Sequence, residues 1–154
     1  MRLTSELIEE APVIVNGLKQ RTLVLRNLGL IAIENLGVCR DQVECVDLSD
    51  NEIFKLDNLP LLSRVRSLVL ANNKVSFIAA DLAEHLPNLV SLVLTNNRIS
   101  SLDQLTPLKN LKHLERLSLA GNPIAELDPE YVNKVAKLIP SLRFVDVVKV
   151  KKVL

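Results

Sequence analysis

Apolar and polar positions follow one frame that recurs along the middle of this chain. Leu89, Leu92, Leu94 and Ile99 are apolar, with Asn97 set between the last two. The same frame returns as Val43, Val46, Leu48, Asn51, Ile53, as Val65, Leu68, Leu70, Asn73, Val75, and as Leu114, Leu117, Leu119, Asn122, Ile124. The asparagines are spaced by 22, 24 and 25 residues. Alternation within each short run argues for a strand with one buried face. The long period argues that each run is one coil of a solenoid, with its strands parallel. Strands are predicted near 45–48, 67–70, 91–94 and 116–119. Between them, Asp81 to Leu86 reads as a helical turn capped by Asp81, and Asp103 to Leu111 as another, limited by Pro107.

Both ends depart from the frame, as the ends of a solenoid must, because an end coil would otherwise expose its apolar layer. Leu23 to Leu25 opens a first coil in which Leu28 stands where asparagine is expected. Before it, Leu3 to Leu18 is predicted as a helix with Thr4 as N-cap and Leu7, Ile8 and Ala11 on one face, broken or kinked at Pro12. After Asn122-Pro123, Asp128 as N-cap and Pro129 at the first helical position predict a second capping helix. Val132, Val135, Leu138 and Ile139 form its apolar face and Pro140 stops it. Leu142, Val145 and Val147 then repeat the strand frame without the asparagine. The expected fold is an α/β leucine-rich-repeat solenoid of about five to six repeats. Its parallel sheet forms the concave face of a single domain: an N-terminal helical cap over 1–20, repeats over 21–127, and a C-terminal helix-strand cap with a basic tail over 128–154.

Composition narrows the function. Hydrophobic residues make up 48% of the chain and aromatic ones 3%, so the core is built from Leu, Val and Ile. A net charge of +1 excludes the whole-molecule basic field of a general nucleic-acid coat. No apolar run approaches the ~20 residues that span a membrane, and Glu6, Glu9 and Glu10 interrupt what a signal peptide would need as its apolar core. Cys39 and Cys45 form no ligand pair and read as free thiols of an intracellular protein. His85 and His113 have no ligand-type residue at metal spacing and read as surface residues. No nucleophile elbow or phosphate-binding glycine loop occurs. No enzyme activity, metal or cofactor is expected.

Asn51, Asn73, Asn97 and Asn122 are expected to stack as an internal ladder, because an amide can both donate to and accept from the turns on either side. The residues alternating with the buried ones point outward on the concave sheet. The central column reads Val24, Asp47, Val69, Val93, Ser118, Asp146. Beside it stand Arg26, Ser49, Ala71, Thr95, Ala120, Val148 on one side and Thr22, Cys45, Ser67, Ser91, Arg116, Phe144 on the other. A small, mildly apolar centre around Val69, Ala71, Val93 and Thr95 is bordered by Arg21, Arg26, Glu44, Asp47, Arg66, Glu115 and Arg116. That surface suits a partner helix laid across it. From Tyr131 onward Lys134, Lys137, Arg143, Lys149, Lys151 and Lys152 face a single acid, Asp146, which fits either a phosphate contact or a solvated tail.

Several stretches carry a family resemblance. Leu3 to Glu10, Leu25-Arg26, Ile33-Glu34-Asn35-Leu36-Gly37, Asp41-Gln42, Val46 to Ile53, Lys55-Leu56-Asp57, Leu59 to Leu62, Leu94 to Asn97, Gly121-Asn122-Pro123, Tyr131 and Pro140 to Asp146 with Lys149-Val150-Lys151 resemble the spliceosomal U2 small nuclear ribonucleoprotein A′ family. Its members usually carry a longer C-terminal tail. The resemblance implies a nuclear, non-catalytic splicing adaptor. Its concave face would receive the first helix of the RNA-recognition-motif protein U2 B″, and the pair would hold stem-loop IV of U2 snRNA, with base readout left to the partner. By position, Arg26, Asp47, Val69, Ala71, Val93, Thr95 and Arg116 would receive the helix, and Lys149, Lys151 and Lys152 would lie near RNA phosphates. A repeat-containing regulatory subunit of a protein phosphatase is the alternative. It would place aromatic and acidic residues on the concave face, where few occur.

Overall fold

The repeating frame folds as a stack of coils whose strands form one continuous sheet. The structure, a computed structural model, describes residues 1–39 and 42–151; Asp41 and Lys152, both used above, lie outside them. In chain order the elements are α1 (Ser5–Glu10), β1 (Val13–Val15), β2 (Arg21–Val24), β3 (Cys45–Asp47), β4 (Lys55–Leu56), β5 (Ser67–Val69), β6 (Phe77–Ile78), α2 (Leu82–His85), β7 (Ser91–Val93), β8 (Arg116–Ser118), α3 (Pro123–Leu127), α4 (Tyr131–Leu138), β9 (Phe144–Val145) and β10 (Val148–Lys149), with 3₁₀ turns at Leu36–Cys39 and Leu102–Asn110. The main sheet has eight strands in the order β1-β2-β3-β5-β7-β8-β9-β10. From β2 to β9 these strands are parallel and in register, Val46 beside Leu68 beside Leu92 beside Leu117. β1 and β10 close the two ends as antiparallel strands. A two-stranded sheet, β4 beside β6, joins the return segments of two neighbouring coils.

The four asparagines hold the coils together as expected. Asn97 Nδ2 donates to the carbonyls of Leu70 (2.8 Å) and Leu94 (3.0 Å), while its Oδ1 accepts from Val75 N–H at 2.9 Å. Asn73 and Asn122 repeat this one coil earlier and one later. Asn51 does more. In the first coil, which lacks its own asparagine, Asn51 Nδ2 donates to Leu25 O and its Oδ1 accepts from both Leu28 N–H and Leu30 N–H. The amides therefore satisfy backbone groups that the parallel ladder leaves behind where the chain turns. Among the described residues no buried side-chain nitrogen or oxygen lacks a partner.

The structure differs from the expectation in four places, three of them at the ends. The N-terminal helix stops at Glu10 rather than running to Leu18. Thr4 caps it, its Oγ1 accepting from Leu7 N–H at 3.2 Å. Ala11, restricted by the following proline, is extended (φ −66°, ψ 144°), and the β-branched run after Pro12 becomes β1. Asn16 Oδ1 accepts from Leu18 N–H and Gln20 N–H and turns the chain back into β2. Asp81 precedes α2 without capping it; its carboxylate faces His85 Nε2 at 3.2 Å. Asp128 likewise does not cap the C-terminal helix, which starts two residues beyond Pro129, at Tyr131. Its Oδ1 accepts from Glu130 N–H in a local turn. Lastly, Val147 is not buried but 96% exposed, because Asp146 takes a left-handed conformation (φ 55°) and turns β9 back into β10. The second 3₁₀ segment is closed at its start by Ser101 and Gln104, whose side chains bond reciprocally with the backbone.

Candidate functional site: the concave sheet face

Strand alternation sends one row of side chains into the core and the next onto the concave surface. Leu23, Val46, Leu68, Leu92 and Leu117 are buried, and their neighbours Val24, Asp47, Val69, Val93 and Ser118 face outward, half-buried by one another. On one side Thr22, Cys45 and Ser67 are small enough to sit flush with the sheet. On the other, Ala71 and Thr95 are half-buried and continue the surface past the strand ends, whereas Ser49 is buried; their carbonyls accept from Asp50, Asn72 and Asn27 N–H respectively. The predicted apolar centre of Val69, Ala71, Val93 and Thr95 is thus one contiguous patch across two adjoining coils.

Charged residues border it at each end of the stack. Arg26 reaches Asp47 at 3.7 Å and Asp50 at 3.2 Å. Asp47 is fixed from behind as well, since its Oδ1 accepts from Ser49 N–H at 3.0 Å. At the far end the Arg116 guanidinium lies over the Phe144 ring, 4.4 Å from its centre. This places a flat cation on an aromatic face and leaves its N–H groups open to a partner.

A second polar row at this rim was not foreseen. Asn96 Nδ2 donates to Asn72 Oδ1 (2.8 Å), Asn72 Nδ2 donates to Asp50 Oδ1 (2.7 Å), and Arg26 donates to Asp50 Oδ2. Asp50, Asn72 and Asn96 each immediately precede a ladder asparagine, as Asn27 precedes its counterpart Leu28, and all four are left-handed, with φ between 55° and 60°. Asn and Asp tolerate that conformation better than other non-glycine residues. The paired Asp50-Asn51, Asn72-Asn73, Asn96-Asn97 and Gly121-Asn122 are its signature in the sequence. Gly121 (φ 78°) ends the row because a Cβ there would fall 1.9 Å from Asn96 Oδ1. The hydrogen bond from Asn72, reinforced by Arg26, holds the Asp50 carboxyl below the usual carboxylate range.

Asp146 occupies a different role from the one its spacing suggested. Its Oδ1 accepts from Leu119 N–H (2.6 Å) and Ala120 N–H (2.9 Å), and its Oδ2 accepts from the Tyr131 hydroxyl. It substitutes for the next strand at the end of the last coil and ties α4 to it. Burial, together with the bond to Asp146, pushes the Tyr131 hydroxyl up to about 12. Next to this clip a groove of about 880 Å³ runs between α4 and β10, with Val132, Ala136, Val148 and Val150 in its lining and Lys137, Lys149 and Lys151 on its rim.

The remaining reactive residues are scattered. Cys39 and Cys45 are free thiols, each pushed up by burial, and Cys45 lies within the concave sheet. His113 is exposed, and no group of three or more His, Cys, Asp or Glu among the described residues is arranged to hold a metal.

A family model described as leucine-rich repeat matches residues 1–153. The chain belongs to the leucine-rich-repeat family. Among this family's curated members it is 44% identical to the probable U2 small nuclear ribonucleoprotein A′ of Caenorhabditis elegans, over 98% of this chain and 59% of that protein. It is 42% identical to the human U2 small nuclear ribonucleoprotein A′, again over 98% of this chain and 59% of the relative. Among solved structures it matches a chain in the crystal structure of the Drosophila melanogaster SNF/U2A′ complex with a TM-score of 0.95. That match has 41% identity and covers 99% of this chain and 87% of the other. The resemblance of this leucine-rich-repeat chain to the U2 A′ proteins therefore extends over nearly all of its residues. The chain spans about three fifths of the length of these curated relatives.

Proposed function

We propose that this leucine-rich-repeat chain is a non-catalytic splicing adaptor of the nucleus, and that its concave face receives a helix of an RNA-recognition-motif protein of the U2 B″ kind. The observation that carries the reading is the build of that face. Val69, Ala71, Val93 and Thr95 make a shallow floor without long side chains, so a helix backbone can approach closely. Arg26 with Asp47 at one end and Arg116 at the other offer charges of both signs to the helix flanks. An apolar floor with a charged rim is how a groove captures an amphipathic helix and fixes its direction. Likeness to a chain solved in the SNF/U2A′ complex supports a heterodimer.

The RNA role is secondary in this reading. Stem-loop IV of U2 snRNA is held mainly by the partner, and the adaptor adds phosphate contacts from Lys149, Lys151 and Lys152. Lys149 and Lys151 are exposed beside the C-terminal groove. Such contacts would steepen the salt dependence without reading bases. Mixing the chain with a U2 B″-type protein, with and without the stem-loop, tests the proposal by size exclusion. One co-eluting complex is expected in both cases. Separate elution in both would sink it.

A further inference from the structure

The end strands of the main sheet are unlike each other in a way the concave-face reading does not use. β1 has one neighbour, β2, and so one free edge. Pairing of Ile14 with Thr22, with Val24 N–H donating to Pro12 O and Asn16 N–H to Gln20 O, directs the backbone groups of Pro12, Ile14 and Asn16 inward. Those of Val13 and Val15 therefore point away from the sheet, and among the described residues nothing meets them. The side chains are open too: Val13 is 50%, Ile14 51% and Val15 68% exposed.

Exposed sheet edges in natural proteins are usually guarded by lysine, proline or a bulge. At the other end, Lys149 lies within β10 and Lys151 follows it. β1 has no such guard. Its only proline, Pro12, withholds a donor from β2 and leaves the outer edge untouched. Glu9 and Glu10 lie before the strand and Lys19 and Arg21 after it, all exposed.

We propose that β1 is an edge-to-edge docking surface for a second copy of this chain, paired antiparallel about a two-fold axis through Ile14. In that register Val13 lies opposite Val15 of the other copy, and each such pair exchanges two backbone hydrogen bonds. The acidic approach of one copy then lies beside the basic turn of the other. The lysines of β10 disfavour the head-to-tail alternative that would grow a filament. With three residues per strand the contact is small, and the dimer is weak and reversible. This inference is independent of the concave-face proposal, since the paired edge lies at the end of the sheet.

Sedimentation of the unmodified chain over a wide concentration range is expected to show a monomer–dimer equilibrium. Val15→Pro removes an outward N–H and no bond to β2, and it is expected to weaken dimerisation by about tenfold or more. Register is read by cysteine cross-linking in a chain carrying Cys39→Ser and Cys45→Ala. Across the axis the two Ile14 Cα atoms are about 4.5 Å apart, within disulfide reach, whereas the two Val15 Cα atoms are about 8 Å apart and outside it. Ile14→Cys should therefore give a covalent dimer under mild oxidation and Val15→Cys should not. A chain that stays monomeric at every concentration overturns the proposal. So does a Val15→Cys variant that cross-links faster than Ile14→Cys.

Discussion

Replacing a ladder asparagine tests how the coils are joined, and the hydrogen-bond pattern gives the cost. In Asn97→Ala the acceptors that lose the amide each keep another donor. Leu70 O retains Asn73 Nδ2, Leu94 O retains Asn122 Nδ2, and Thr95 O retains Asn72 N–H. The group left alone is Val75 N–H, which is buried. One orphaned buried donor costs about 1–3 kcal/mol, so Asn97→Ala should destabilise the fold by about 2 kcal/mol. Asn51→Ala orphans Leu28 N–H, Leu30 N–H and the Leu25 carbonyl, which has no same-coil asparagine to replace the lost donor, and should cost at least about twice as much. Asn97→Asp separates the two roles of the amide. One carboxyl oxygen can still accept from Val75 N–H, while the other faces the Leu70, Leu94 and Thr95 carbonyls at the positions the donor now fills, 2.8 to 3.2 Å away. That crowding favours the protonated acid, so its folded pKa rises above the ~3.9 of the unfolded chain. The folded state then binds the extra proton, and stability relative to the parent falls as pH rises from about 4 towards 7, by up to about 1.4 kcal/mol per unit. Urea unfolding of all four proteins at several pH values measures this. An Asn51→Ala cost no larger than that of Asn97→Ala, or an Asn97→Asp chain that gains on the parent as pH rises, would refute the ladder account.

The C-terminal clip yields two more expectations. The Tyr131 hydroxyl is raised to about 12 in the folded chain against about 10 unfolded, so its contribution is present below pH 10 and lost as pH rises from 10 to 12. Tyr131→Phe should flatten that alkaline loss in thermal melts monitored by circular dichroism. Asp146→Ala removes the acceptor for Leu119 and Ala120 N–H; the exposed Ala120 N–H turns to water, while the one at buried Leu119 costs about 1–3 kcal/mol, so the last coil should loosen first. Hydrogen exchange should then quicken at Leu119 and Ala120 while Leu48 and Leu70 stay protected; uniform exchange across the coils would contradict that placement.

The repeats were legible because a fixed period constrains each residue several times over. Leu92, Leu94, Asn97 and Ile99 each have counterparts in other coils, so their burial and the register of the strands followed from spacing alone. The ends have no counterparts, and there local chemistry prevailed over pattern. Leu3 to Leu18 has a helical face at its start, but Val13-Ile14-Val15 followed by Asn16-Gly17 is a strand and turn signal that outweighs it. Val147 keeps the alternation of Val145, yet Asp146 reverses the chain between them. Asp146 itself has concave spacing and is diverted by two unpaired N–H groups of the preceding coil. The centre of the concave face could be read in advance because it belongs to the repeats. The outer Asn96–Asn72–Asp50–Arg26 row could have been found from the doubled Asn and Asp residues, whose first members favour left-handed turns.

Whether Val69, Ala71, Val93 and Thr95 receive a partner helix is tested most directly by calorimetry. The titration adds a U2 B″-type protein to the chain carrying Arg26→Glu and Val93→Glu. A carboxylate buried without a partner at the middle of an interface costs about 3–5 kcal/mol, so affinity should fall by at least about a hundredfold. Circular dichroism should show the solenoid still folded, because both side chains lie on its surface. Unchanged affinity in that folded double variant would contradict the account.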